Sequence, residues 1–353
     1  MAYTTIKKPS DYFNTKIYTG NGGANSSQSI TGVGFKSDLV WIKARTTTAR
    51  HALQDIIRGT GDHKLSSNET QIEGFDENSW AGGYISSFDS DGFTANGGTS
   101  NASIVNNNGE NYVAWNWLAS NTSASNTDGS ISSTVSANTT SGFSIVSYTG
   151  NETSGATVGH GLSTTPKMII IKNRNSTDDW VVYHESLGNT QSIRLNLTNA
   201  AATTPASFNN TSPTSSVFTL GDWSAVNGSS MIAYCFAEKK GFSKFGSYIG
   251  NGNADGTFVY TGFKPAFLIV KGYAGSDDWI IMDNKRSGYN SENEYLDANN
   301  ITIESDGSGN IDFLSNGFKI RSTFSSLNYV TGQYIYMAFA EEPLVGDNPA
   351  TAR

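Results

Sequence analysis

Apolar residues in this chain come in short blocks, and three blocks end alike. Leu39-Val-Trp-Ile-Lys43, Met168-Ile-Ile-Ile-Lys172 and Phe267-Leu-Ile-Val-Lys271 run apolar up to a lysine. Without alternation, such a run predicts a strand buried on both faces. A tyrosine-bearing strand precedes each block, ending near Tyr18, Tyr148 and Tyr248. After the second and third blocks come Asp178-Asp179-Trp180 and Asp277-Asp278-Trp279, each a polar turn into an antiparallel partner strand. The runs Asn111–Ala119, Ser230–Glu238 and Gln333–Glu341 then mix large aromatics with alanine. Small residues beside large ones let two sheets interdigitate. Helical spacing is nearly absent; one or two turns near Ala49–Arg58 and smaller turns near Ala200–Ala202 are the expected helix.

Register turns these blocks into a threefold repeat. Tyr18 to Tyr148 is 130 positions and Lys43 to Lys172 is 129, while the next intervals are 100 and 99. The expected fold is all-β, with three tandem antiparallel β-sandwich repeats of jelly-roll-like topology. The expected boundaries are an N-terminal arm over 1–13, repeats over 14–119, 142–240 and 241–343, and a C-terminal tail over 344–353. Residues 120–141 are rich in Ser, Thr and Asn and read as a linker in which Ile131 and Val135 dock one short strand. That spacing predicts a loosely tethered first repeat and a close pair of later ones. A polar insertion over 59–83 sets the first repeat apart.

Composition narrows the function classes. The net charge of −8, without a basic patch, argues against nucleic acid and against anionic surfaces. The single Cys235 forbids an internal disulfide. No stretch reaches the ~18 apolar residues of a membrane helix, so no membrane insertion is expected. The N-terminus lacks a signal-peptide core, which suits a protein made in a cytoplasm and delivered by assembly.

Candidate chemistry is sparse. His51, His63, His160 and His184 form no His-Glu-x-x-His pair, and no cofactor or metal is expected. Asp89-Ser-Asp91 lacks the remaining ligands of a calcium loop and reads as a turn. The paired aspartates sit side by side, so strand geometry would aim them at opposite faces. The three repeated lysines read as side chains reaching from core strands to water. No catalytic residue is assigned. Aromatics among polar residues, Trp80, Tyr84, Trp223 and Tyr289, are the candidate contacts for a glycan or a neighbouring subunit.

Gly34-Phe-Lys-Ser-Asp-Leu-Val-Trp-Ile-Lys43, Ser87-Phe-Asp-Ser-Asp-Gly-Phe93, Tyr112-Val-Ala-Trp115, Val158-Gly-His-Gly-Leu162, Gly241-Phe-Ser-Lys-Phe-Gly-Ser-Tyr248 and Met337-Ala-Phe-Ala-Glu341 carry a resemblance over nearly the whole chain. It resembles repeat-containing virion structural proteins of marine bacteriophages such as cyanophages. The resemblance implies a non-enzymatic structural protein located in the virion, as a tail fibre or appendage or a capsid decoration. It supplies no catalytic residues. The partners expected are other virion proteins and further copies in a homo-oligomer, with the 1–13 arm as anchor. The alternatives are a glycan-binding adhesin of the host surface and a polysaccharide hydrolase.

Overall fold

The computed structural model describes residues 4–74, 82–99, 104–307, 309–346 and 349–350. The fold is nearly all antiparallel β, and only single helical turns interrupt it, such as Pro205–Phe208 and Ser325–Asn328. Three large sheets contain the same four-strand order. An opening strand (Phe13–Thr19, Phe143–Tyr148, Ser243–Ile249) pairs with a closing strand (Asn111–Trp117, Met231–Phe236, Gln333–Pro343). The closing strand pairs with a lysine strand (Leu39–Ala44, Met168–Asn173, Phe263–Gly272), and that with a return strand (Ala52–Asp55, Val181–His184, Trp279–Asp283).

Each large sheet has two buried faces, which is why its lysine strand is apolar throughout. One face meets a small sheet of its own, for example Phe258–Tyr260, Gly317–Ile320 and Ile311–Leu314 for the third. The other face points to a core shared by all three sheets. At its middle Trp117, Phe236 and Phe339 form a triangle with ring centroids 6.3, 5.9 and 6.1 Å apart. One residue from each closing strand thus marks a pseudo-threefold axis.

Several expectations change. Within 120–141 the expected docked strand is Ser133–Asn138, paired with the middle opening strand, and a second strand, Ala124–Asn126, pairs with it, so the segment extends the sheet. The first sheet is not loosely held, since Trp41, Trp115 and Trp117 sit in the shared core. Near Ala49–Arg58 the chain forms the return strand instead of a helix, because pairing with the lysine strand supplies the backbone bonds. The described part of the 1–13 arm packs on the body of its own chain. Ile6 is buried in the shared core, and Tyr12 packs edge-on against Phe242.

Candidate functional site

The three lysines that looked like surface-seeking side chains are fully buried and tie the sheets into a ring. Lys43 Nζ donates to Ile301 O, Lys172 Nζ to Thr70 O, and Lys271 Nζ to Thr198 O. Each acceptor lies in the neighbouring stretch, so the bonds run from first to third, second to first and third to second. Burial lowers all three pKa values to about 8.

A second ring lies beside it. Trp180 Nε1 donates to Ser66 O and Trp279 Nε1 to Arg194 O. In the first sheet the place belongs to His51. Its Nδ1 accepts from Trp41 Nε1 at 2.8 Å, so the proton sits on Nε2 and is donated to Asp297 O and Asn300 O. Burial holds His51 neutral, with a pKa lowered to about 3.

A third ring uses the ends of the return strands. Asp55 accepts from Arg58 and from Tyr234 Oη; Asp283 accepts from Arg286 and from Trp115 Nε1. For the corresponding His184 the register equivalent of Trp115 and Tyr234 is Met337, which cannot donate, and His184 bonds Tyr336 O instead. These ionisable groups hold structure.

The described part of the 59–83 insertion belongs to the same frame. Residues 66–73, 194–201 and 297–304 are equivalent inter-sheet segments. Asn68, Asn196 and Asn299 accept from the backbone N–H of His51, Trp180 and Trp279. Glu73 N, Ala201 N and Glu304 N donate to Arg174 O, Tyr273 O and Arg45 O. Ion pairs Arg174–Glu73 and Arg45–Glu304 reinforce two of the three joints.

A cleft of about 540 Å³ lies on the third sheet beside Tyr289, apart from the rings. The turn 284–290 is reversed at Gly288, whose φ of +75° a side chain would strain. Asn290 clamps it, donating to Phe313 O and accepting from Phe313 N, both at 2.9 Å. Tyr289 therefore projects, 77% exposed, at the cleft mouth. Glu292 lies on the wall, 3% exposed, held by paired backbone bonds to Ile311. Its Oε2 has no hydrogen-bond partner among the described residues, and neither has the buried Asn284 Oδ1. Burial, with the charge of Asp283 second, raises Glu292 to about 8, so it is mostly protonated at neutral pH and can donate. Lys264 pairs with Glu341 and Arg321 with Asp312 around the rim. An aromatic plate, a neutral carboxyl donor and one free amide oxygen, that of Asn284, suit a polyhydroxylated ligand.

A family model matches residues 8–343, described as a domain of unknown function, DUF7483. The chain belongs to the DUF7483 family. No curated protein and no solved structure matches it.

Within this DUF7483 domain the sequence candidates do not converge. Trp80 lies outside the described residues. Tyr84 begins a strand of the first small sheet and is half-buried. Trp223 is half-buried under the Arg194 guanidinium, 4.5 Å from its ring centre. Tyr289 stands at the mouth of the cleft described above. Asp91 closes a turn, accepting from the backbone N–H of Gly32 and Gly34. Glu292 went unnoticed in the sequence because only its bridge to Ile311, 19 positions on, buries it. Among the described residues no helix is long and apolar enough to cross a membrane.

Proposed function

We propose that the protein is a non-enzymatic structural component of a bacteriophage particle, built as three tandem β-sandwich repeats and displayed on the particle surface as a tail appendage or capsid decoration. The observation that supports this reading is the ring of inter-sheet bonds. It spends the buried lysines, histidines and Asp–Arg pairs on rigidity and gives one chain a quasi-trimeric body, a shape suited to symmetric assembly with other virion proteins. Such a protein is made in the host cytoplasm and resides in the virion.

Quantitative mass spectrometry of purified particles, with antibody labelling of intact ones, tests the reading. Multiple copies per particle and surface labelling are expected. Absence from washed particles would refute it.

The cleft favours a second reading alongside the first, recognition of a host-surface glycan. Tyr289 would stack on a sugar face while Glu292 donates to a ring or hydroxyl oxygen. A glycan array should give hits that Tyr289→Ala and Glu292→Leu both abolish. Release of reducing ends from a bound polysaccharide would point to the hydrolase alternative instead.

A further inference from the structure

The outer edges of the three large sheets are finished in three different ways. In the middle sheet Ser133–Asn138 lies along the opening strand in continuous register, from Tyr148↔Ser133 to Phe143↔Asn138. Just upstream the same segment reaches the small sheet, where Ile131 N donates to Thr157 O and Ser133 Oγ to Gly159 O. Ile131 and Val135 fill the seam over Val146, Tyr148 and Val158. Nine residues, 130–138, thereby close both sheet edges.

In the first sheet side chains do this work. Asn14 Nδ2 donates to Val33 O across the seam, and the Lys16 ammonium reaches the Cβ position of Gly32 to 3.0 Å. A lysine on an edge strand also repels further pairing.

The third sheet has neither device. Gly246 stands where the first sheet has Lys16 and the middle one Val146. Lys244, in the place of Asn14, is drawn aside to Glu238 at 2.8 Å. Phe245 N–H turns outward to Glu238, and Ile249 O accepts from the Thr257 hydroxyl. Alternation therefore aims the N–H and C=O of Ser247 outward as well. Beside this edge Ile249, Phe258 and Tyr260 are 63%, 43% and 55% exposed.

We infer that the open edge of the third sheet, Gly246 to Ile249, receives an extended segment of another protein chain by strand addition. The middle sheet shows the chemistry of the occupant: uncharged, rich in Ser and Thr, with two β-branched side chains four residues apart. Main-chain bonds to Ser247 hold it, and the apolar seam selects its side chains. It carries no counterpart of the Ala124–Asn126 strand, because Tyr260 stands where Gly159 lets Asn126 cross. The proposal adds a partner site to the assembly role above, and stands without the glycan reading.

The test uses the full chain and a synthetic nonapeptide with the sequence of residues 130–138, followed by fluorescence anisotropy. Saturable binding is expected, weakened at least tenfold by Ser247→Pro, which removes the outward N–H, and by Ser247→Lys, which copies the first sheet's guard. Tyr289→Ala should bind the peptide as the unmodified chain does, while losing any glycan. No saturation at millimolar peptide, or equal binding by both Ser247 variants with melting temperatures unchanged, overturns the proposal. A dimer in sedimentation equilibrium that Ser247→Lys dissociates would assign the edge to a second copy and overturn it too.

Discussion

The centre of the molecule and the rim of the third sheet treat substitution in opposite ways. At the centre a change in one stretch is answered by a change beside it. Where Trp180 and Trp279 donate to a carbonyl, His51 does so with Trp41 fixing its tautomer. Where Trp115 and Tyr234 donate to Asp283 and Asp55, Met337 cannot, and His184 finds a backbone oxygen. At the rim Gly246 is matched only by the Tyr336 ring lying over it, while Tyr289 stands exposed and Glu292 Oε2 has no partner among the described residues. Positions that must close a ring are restored; positions free of that demand have diverged.

The sharpest way to break this contrast is at the compensated joints. Asp283→Ala strips the buried Arg286 guanidinium of its nearest carboxylate, leaving it Glu304 and Ile281 O, and leaves the Trp115 N–H without its acceptor; it should cost about 3–5 kcal/mol in urea unfolding. His184→Ala, at the equivalent place but without a buried cation, should cost only about 1–3 kcal/mol. Equal losses at the two sites would count against the assignment of the ring.

Glu292 comes next. Its folded pKa, about 8, lies above the unfolded value, so its contribution is complete at acid pH and is lost as pH rises to 8. Glu292→Gln should remove on the order of 3 kcal/mol of the change in stability between pH 4 and 8. The three lysines have the opposite sign. Their folded values, about 8, lie below the unfolded one, so the unfolded chain binds more protons between pH 8 and about 10 and stability should climb there. A denaturation midpoint that stays flat over that range would show the lysines to be better solvated than their burial implies. Smallest of all, Tyr289→Ala should move stability by less than about 0.5 kcal/mol, visible only as lost glycan binding.

The strands were legible because doubly buried backbone leaves no room for polar residues, and the spacing of Tyr18, Tyr148 and Tyr248 survived for the same reason. The closure of the sheets into a ring was hidden, since its acceptors are main-chain carbonyls that any residue supplies. One signal was available: Asn68, Asn196 and Asn299 follow the repeated lysines at comparable distances, each receiving the backbone N–H that opens a return strand. The strand over Ser133–Asn138 was legible only as one short strand docked by Ile131 and Val135, and its partner Ala124–Asn126 was missed. An edge strand needs backbone bonds and two anchors rather than an apolar run. Of the site, the aromatic Tyr289 could be read and the acid beside it could not.

The Trp117–Phe236–Phe339 triangle has a consequence for valency. Three identical chains around such an axis would present every surface feature three times. A single chain presents the Tyr289 cleft once. Each molecule is thus monovalent for whatever that cleft holds, and multivalent attachment has to come from the number of chains on a particle and the spacing between them. Isolated protein should bind weakly, and the same protein in an array strongly, with no change at any contact.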